Sequence, residues 1–370
     1  MTERKTASIV TMHFPCNYGA VLQAYALSHY LRDEGLEVRI VDYVPVYFRE
    51  KLSLWYVGNE RCRHNPLLRL GYYLLRIPPR VRERMLFSQF RSNELEMTEP
   101  LSQEDLLQGG KVSCDYYFCG SDQIWNEKNE TLADPVYFLQ FAAPGARRIS
   151  YAASGTVACP FSEKVRQTVL PWLSEFEAIS VREDTMRDNL RAALGTDVRH
   201  VCDPVFLLGK NAWKSLAEKG DAKGVGHPYI LVYAIGNDPT PYERARELGD
   251  KLSLPVYSMG LVRKPGVNRN LNCSPYRFLK LFEEAQCVVT NSFHGFSFSL
   301  IFNRPFWVCD TSIANHRLRS LLSKTGTESR FLRKGEAFSC DDKIDWDCVN
   351  DRLVEFVDDS KTFIKNSISI

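Results

Sequence analysis

The sequence lacks the features that mark a membrane-spanning or exported protein. Its 370 residues contain no run of about 18 apolar side chains, the length that a transmembrane helix needs. Residues 1–5 lead directly into a predicted strand and show no signal-peptide pattern, so we expect a cytoplasmic protein. The net charge is only +2, which gives no overall attraction to nucleic acid, and no nucleic-acid partner is expected.

Motifs that hold metals and nucleotide cofactors are missing too. The eleven cysteines show neither C-x-x-C nor the Cys/His spacing of zinc sites, so we expect reduced thiols and no metal site. Neither G-x-G-x-x-G nor a P-loop occurs, which argues against a dinucleotide cofactor and against ATP. The sequence accordingly predicts a protein without a resident cofactor.

What the sequence does contain is a regular alternation of short apolar runs and amphipathic stretches. Near the start, a predicted strand at 7–12, a helix at 20–34 and a strand at 37–43 form one βαβ unit. Similar pairs follow through most of the chain. This alternation predicts an α/β fold built on parallel sheets.

The alternation pauses between Leu207 and His227 and then resumes. We therefore predict two Rossmann-like domains that face each other across a cleft. The first would cover residues 1–207 and the second residues 208–345. The amphipathic helix predicted within 346–370 could cross back onto the first domain.

An arginine-rich stretch, about residues 46–97, is predicted to be a helical insertion in the first domain. Leucines and tyrosines are interleaved with its arginines, which are Arg61, Arg63, Arg69, Arg76, Arg80, Arg82, Arg84 and Arg91. One interpretation is a covering helix whose arginines are solvated. The other is a contact with lipid phosphates at a membrane surface.

The most informative segment is residues 290–295, Thr-Asn-Ser-Phe-His-Gly, between a predicted strand and a predicted helix. In open parallel sheets, ligands bind at this edge, where strands end. Asn291 and Ser292 can cap the helix, whose first N–H groups suit an anion. His294 is the side chain here that can transfer a proton near neutral pH. The alternative is a histidine that only completes the helix start.

Small or polar residues also follow several predicted strands of the first half, and in a parallel sheet they share one edge. Gly19 permits close backbone approach. Arg182 has the geometry to hold a carboxylate or phosphate, although it could instead form a structural ion pair with Glu183 or Asp184. Asp122 could orient a ligand or cap the next turn. The candidate binding residues here are Asn17, Tyr18, Gly19, Ser121, Asp122, Asn126 and Ser154.

Taken together, six short blocks resemble the polysaccharide pyruvyl transferase family. They begin at Asn17, Gly120, Ser150, Ser180, Asp203 and Asn291. Each block alone is weak, but their order and spacing cover residues 9 to about 306. The resemblance implies a fold like that of the GT-B glycosyltransferases.

The resemblance also implies an activity, which is transfer of a pyruvyl group from phosphoenolpyruvate to a sugar as a cyclic ketal. In the family, the histidine that matches His294 is implicated in catalysis, and the arginine that matches Arg182 in holding the donor. Some members have a lysine downstream of the histidine, where this chain has His316 and Arg317 as candidate substitutes. The implied partners are phosphoenolpyruvate and a glycan or lipid-linked saccharide, met at the inner face of the membrane.

Two alternatives from other classes stay open at this point. The same architecture serves glycosyltransferases that use a nucleotide sugar, because a fold does not determine a reaction. A non-catalytic glycan-binding protein is the other alternative.

Overall fold

The computed structural model describes residues 4–126, 131–155, 161–163, 165–220, 224–261, 264–310, 315–333, 336 and 343–369. The chain forms two compact units. Unit 1 comprises Met1–Arg49, Ser92–Leu208 and Leu353–Ile370, and unit 2 comprises Glu50–Arg91 and Gly209–Arg352.

Each unit is built on a parallel sheet. The strands of unit 1 are β1 (Thr6–Val10), β2 (Glu37–Ile40), β3 (Tyr116–Cys119), β4 (Arg147–Ala153), β5 (Ala178–Val181) and β6 (Val198–His200). Those of unit 2 are β7 (Ile230–Tyr233), β8 (Val256–Met259), β9 (Arg269–Leu271), β10 (Cys287–Thr290), β11 (Phe306–Cys309) and β12 (Phe331–Leu332).

Helices connect the strands. They are α1 (Tyr18–Asp33), α2 (Val46–Leu52), α3 (Glu60–His64), α4 (Pro66–Glu94), α5 (Gln103–Leu107), α6 (Leu170–Leu173), α7 (Asp184–Leu194), α8 (Lys210–Glu218), α9 (Thr240–Leu252), α10 (Pro275–Glu284), α11 (Phe293–Ile301), α12 (Asn315–Thr325) and α13 (Trp346–Ser369). None of the helices in the described ranges is both long and apolar enough to cross a membrane.

The order of the strands places a crevice in each sheet. In unit 1 the order is β2-β1-β3-β4-β5-β6, so the chain reverses direction across the sheet between β1 and β3. In unit 2 the order is β12-β11-β10-β7-β8-β9, and the reversal lies between β7 and β10. Such switch points, at the carboxyl ends of the strands, are where open α/β sheets bind ligands.

The apolar runs that predicted strands form the cores of both sheets. Strands β3, β7, β10 and β11 are buried at every position, as expected for central strands covered by helices on both faces. The prediction of an α/β fold with two Rossmann-like domains is confirmed. The short strands β9 and β12 were not predicted, because their two or three residues carry no readable alternation.

The chain crosses between the units in a way that differs from the predicted boundaries. The arginine-rich helices were predicted as an insertion in the first domain, whereas the structure groups Glu50–Arg91 with unit 2. The physical reason lies in α4, whose Phe90 is fully buried and packs edge-on against Tyr276 at 5.0 Å. The Asn272 side-chain amide also donates to the Pro79 carbonyl, at 2.8 Å.

The end of α13 belongs to unit 1. The Tyr116 hydroxyl, on β3, donates to the Ile368 carbonyl at 2.6 Å. The backbone N–H of Cys202 donates to Ser360 Oγ at 2.9 Å, and Ile364 is completely buried. The last turns of the chain therefore complete the core of the first unit.

Candidate functional site

In unit 2, the segment after β10 is held against the segment after β7. The Thr290 hydroxyl donates to the Tyr233 carbonyl and accepts the Ser292 N–H at 3.0 Å. The Asn291 side chain accepts the N–H of Ile235 at 2.7 Å and donates to its carbonyl at 3.0 Å. Both contacts cross the switch point between β7 and β10. The turn that leads to His294 is therefore fixed in the predicted ligand-binding crevice.

Helix α11 begins immediately after this turn. Ser292 has the extended backbone of an N-cap, with φ −94° and ψ 135°, and its Oγ accepts the Gly295 N–H at 3.4 Å. Asn291 was predicted as a second capping residue, but its amide is used by Ile235. Ser292 alone of the pair therefore caps the helix.

His294 occupies the first turn of α11. Its residue exposure is 6%, and its ring lies edge-on to that of Phe293 at 5.5 Å. The following Gly295 has no room for a side chain, because a Cβ there would collide with the side chain of Thr290 and lie 3.0 Å from Tyr233 Cδ1. The glycine therefore lets the helix start against β7 and β10, which places the imidazole at the carboxyl edge of the sheet.

In unit 1, the residues after β1 begin a helix earlier than predicted. Asn17 caps α1, and its Oδ1 accepts the Ala20 N–H at 3.2 Å. Tyr18 and Gly19 were predicted in a loop but are the first two residues of α1, both buried. The prediction was wrong because the helix starts at Tyr18, two residues before the apolar periodicity that marked it.

The turn after β3 contains a residue with a strained backbone. Asp122 has φ 74°, a left-handed conformation that is uncommon for a residue with a side chain. Its Oδ1 accepts the Gln123 N–H at 2.9 Å, and its carbonyl accepts the Ser154 N–H at 3.1 Å. The Asn126 amide donates to the Gln123 side chain at 2.6 Å. Of the two roles predicted for Asp122, the structure therefore contains the turn-capping contact.

Arg182 follows β5 and is the centre of a buried network. Its guanidinium, 1% exposed, is ion-paired with Asp203 and lies 3.9 Å from Asp122 Oδ1. It also donates to Ser121 Oγ at 3.4 Å, and Ser121 Oγ donates to Asp203 Oδ2 at 3.2 Å. Ser154, also completely buried, donates to Glu183.

The charges of this network keep the arginine ionised. Burial alone lowers the pKa of the Arg182 guanidinium, but the charges of Asp203, Glu183 and Asp122 outweigh it and raise the pKa above its ordinary value. Ion pairing was predicted as the structural alternative for Arg182, with Glu183 or Asp184. The closest ionic partner is instead Asp203, which follows β6 and which no local pattern connects to β5.

A second polar pair, with His13 buried and Asp42 half-buried, follows β1 and β2. His13, 1% exposed, has Nδ1 at 3.1 Å from the Thr11 carbonyl and Nε2 at 3.1 Å from Asp42 Oδ1. The Thr11 hydroxyl donates to the Ser121 carbonyl at 2.8 Å and accepts the Gln23 amide at 2.9 Å. These contacts join the ends of β1 and β3 at the switch point of unit 1.

Sequence reasoning assigned no role to Thr11, Gln23, Asp42 or Asp203. A usable signal existed for Asp203 and Asp42, because each comes within three residues of the end of a strand. Thr11 also follows its strand directly. Gln23 lies in the middle of a helix, and nothing in its local sequence indicates that it reaches the loop after β1.

The two candidates on α12 have different surroundings. His316 is exposed in the first turn of the helix, and Arg317 is half-buried. Helix α12 packs against α11, the helix of His294. Within the described parts of the chain, there is no group of three His, Cys, Asp or Glu side chains that could hold a metal ion.

Comparison with solved structures agrees with this fold. UDP-GlcNAc 2-epimerase from Neisseria meningitidis bound to UDP-GlcNAc is similar with a TM-score of 0.51 and 10% identity, over 98% of this chain and 94% of that one. A Listeria monocytogenes protein described as a UDP-N-acetylglucosamine 2-epimerase gives 0.50 and 12%, over 100% and 91%. ADP-heptose LPS heptosyltransferase II from E. coli gives 0.38 and 12%, over 96% and 99%. At these identities the similarity to the two epimerases, whose TM-scores reach 0.50, concerns the fold alone, which is GT-B-like.

Comparison at the level of sequence identifies the family. No curated protein sequence matches the chain. A family model, polysaccharide pyruvyl transferase, matches residues 17–313, which include every candidate residue of both sheets except His316 and Arg317. The chain therefore belongs to the polysaccharide pyruvyl transferase family, a family of transferases that act on polysaccharides.

Proposed function

We propose that the protein transfers a pyruvyl group from phosphoenolpyruvate to two hydroxyls of a sugar, forming a cyclic ketal and releasing phosphate. The observation that supports this reaction best is the position of His294. It lies in the capped first turn of α11, directly after β10 and at the switch point of its sheet. A group that can both accept and donate a proton at a ligand-binding edge suits a reaction that moves two protons.

Phosphoenolpyruvate presents a phosphate and a carboxylate, and no metal cage is needed to bind it. The N-terminal turn of a helix offers backbone N–H groups and the positive end of the helix dipole to such anions. Helix α11 offers this turn next to His294. We propose that the donor binds here and that the polar side chains after β10 contact it, with His316 and Arg317 of α12 as further contacts.

The bonds and protons of the proposed reaction define what the imidazole must do. One sugar oxygen bonds to C2 of phosphoenolpyruvate, and the methylene carbon gains a proton to become a methyl group. The second sugar oxygen then bonds to C2 while the bond from C2 to the phosphate oxygen breaks. Of the two hydroxyl protons, one therefore ends on the methyl group and the other on phosphate. His294 would take a proton from the attacking hydroxyl and deliver one to the departing phosphate.

Unit 1 has its own set of polar residues at the carboxyl ends of its strands. We propose that residues following β1, β3 and β4 also contact substrate, namely Asn17, Tyr18, Gly19, Ser121, Asp122, Asn126 and Ser154. The donor-holding role predicted for Arg182 stays a prediction. Its burial in an ion pair favours a role in which it keeps these turns in place.

The acceptor that fits the family is a sugar of a polysaccharide or of its lipid-linked precursor. A lipid-linked precursor would be met at a membrane surface, and we propose peripheral contact with the inner face of the membrane for that case. No cofactor enters the proposed reaction.

Phosphate release from phosphoenolpyruvate tests the proposal. The purified chain is mixed with phosphoenolpyruvate and a panel of lipid-linked saccharides and simple glycosides, and inorganic phosphate is measured with time. We expect release that depends on one class of glycan, and a ketal methyl signal in the product that is lost on treatment with acid. His294→Gln serves as the catalytic control. Absence of a thermal shift with phosphoenolpyruvate, together with nucleotide release from a nucleotide sugar, would replace the proposal with glycosyl transfer.

A further inference from the structure

Helix α4 turns apolar side chains to solvent along most of its length. Leu67, Leu70, Leu74, Pro78, Val81 and Met85 follow one another at intervals of three or four residues and are all exposed. Leu68 and Leu75 flank this stripe, and Leu67 and Leu75 retain 81% and 77% of their accessible surface. We call the seven exposed aliphatic residues, Leu67, Leu68, Leu70, Leu74, Leu75, Val81 and Met85, the leucine face. At 1.5 Å per residue it is about 27 Å long.

Contacts on the opposite side of α4 keep the leucine face outward. Arg80 donates to the carbonyls of Leu54 and Tyr56, at 2.9 and 2.8 Å, and to the Tyr72 hydroxyl at 2.8 Å. Arg76 lies over the Tyr72 ring at 5.5 Å. Farther along the helix, Phe87 is fully buried. In the first four turns the leucines therefore face water, while Arg76 and Arg80 turn toward the protein, which reverses the usual arrangement for these side chains.

Exposed positive and aromatic side chains occur in the same segment of unit 2 as the leucine face. Arg61, Arg69 and Arg82 are exposed. Trp55 is 62% exposed and packs edge-on against Tyr73 at 5.2 Å. The acidic residues between 59 and 93 are Glu60 and Glu83, against eight arginines. An apolar strip within an arginine-rich segment matches the interface of an anionic bilayer, where acyl chains lie beneath phosphate groups.

We propose that the leucine face docks onto an anionic lipid surface, with α4 lying in the plane of the interface. An apolar strip of this length in contact with water is unfavourable, and monomeric proteins rarely expose one without a partner. The excess of arginine in residues 59–93 favours a lipid phosphate surface over a second copy of the same segment, because two copies would bring like charges together. The helix itself is not apolar enough to cross a bilayer. The proposal does not depend on the proposed reaction, because lipid binding needs no substrate.

Flotation with vesicles tests the docking surface. The full chain is mixed with vesicles of phosphatidylcholine alone, or of phosphatidylcholine and phosphatidylglycerol in a ratio of about three to one. We expect binding to the mixed vesicles that weakens as salt is raised. The triple variant Leu67→Ser/Leu74→Ser/Leu75→Ser should bind at least about tenfold more weakly, since each leucine loses its burial in the acyl region. The triple variant Arg61→Gln/Arg69→Gln/Arg82→Gln should lose the part of the vesicle binding that weakens with salt.

Matched controls separate lipid contact from misfolding. Leu252→Ser changes an exposed leucine on α9 of the same unit, and it should leave vesicle binding unchanged. The serine variants should melt at the wild-type temperature, because the substituted side chains are exposed. Equal binding of the triple variant and wild type, or no binding to either vesicle, would overturn the proposal. So would a wild-type dimer that becomes monomeric in the triple variant without any vesicle binding, which would make the face a contact between copies.

Discussion

The side-chain amide of Asn291 forms two hydrogen bonds with the backbone of Ile235, one accepted at 2.7 Å and one donated at 3.0 Å. Asn291 follows β10 and Ile235 follows β7, the strands on either side of the switch point of unit 2. Beyond the last residues of the two strands, this amide therefore makes the connection that backbone hydrogen bonds make within the sheet. It holds the turn from which Ser292 and His294 start α11.

Asn291→Ala should reduce both stability and turnover. Loss of the two contacts leaves the Ile235 groups without this partner, and we expect a loss of about 1–3 kcal/mol in the free energy of unfolding. Denaturant unfolding and the phosphate-release assay measure the two effects. Asn268→Ala is the matched control, because Asn268 accepts the Val256 N–H at 2.8 Å at the other end of the sheet. The control should lose stability only. Equal turnover in the two variants would show that Asn291 has no role in the site beyond stability.

His294→Gln should remove most turnover while the protein stays folded. Glutamine preserves hydrogen bonding but not proton transfer, and acid–base groups contribute about 10²–10⁴-fold to rates. His227→Gln changes a histidine that precedes β7, at the opposite edge of the sheet, and should leave the rate unchanged. If His294→Gln turns over at a near-normal rate, the histidine only completes its helix. The proton transfer would then be assigned to His13 or His316.

Local patterns were sufficient to predict the turn at residues 290–295 but not the contacts that hold it. An apolar strand, a polar turn and an apolar helix follow one another within twenty residues, so the turn could be predicted from the sequence. The partner of Asn291 lies 56 residues away, and that of Arg182 is 21 residues away across another strand. Such pairs depend on strand order, which composition and periodicity do not determine.

The orientation of α4 could not be predicted from the sequence either, because it also depends on contacts with other parts of the chain. Its sequence shows arginines and leucines on different faces, but not which face packs against the protein. The carbonyls of Leu54 and Tyr56, which receive Arg80, decide the orientation, and both belong to the irregular segment between α2 and α3. The assignment of this helix to unit 2 likewise rests on Tyr276 and Asn272, nearly 200 residues farther along the chain.

Glu83 should make stability fall between about pH 4.5 and 7. Burial raises the pKa of its carboxyl from 4.5 to about 7, although Arg80 and Arg84 oppose the shift. In this window the folded protein holds a proton that the unfolded chain has lost, so raising the pH favours unfolding. Below the window both states are protonated, and above it neither is. Glu83→Gln should therefore raise the melting temperature more at about pH 8 than at about pH 5.5.

The control for this prediction is Glu60→Gln, an exposed carboxylate at the start of α3. Its effect on the melting temperature should be small at both pH values. A pH-independent effect of Glu83→Gln would show that Glu83 is equally charged in the folded and unfolded states.

Arg182→Ala should destabilise the protein strongly. Removing the guanidinium leaves Asp203 and Asp122 close together and without their positive partner in a buried site, and breaking such a pair costs about 3–5 kcal/mol. Arg182→Gln/Asp203→Asn removes both charges of the closest pair and keeps polar groups at each position, so it should recover part of that loss. Thermal and denaturant unfolding of the single and double variants measure the coupling.

The donor-holding role makes the opposite prediction. If Arg182 binds phosphoenolpyruvate, both variants should bind the donor more weakly while their stability changes little. Donor-induced thermal shifts decide between them: a double variant that melts above Arg182→Ala and still responds to phosphoenolpyruvate assigns Arg182 to the framework of unit 1.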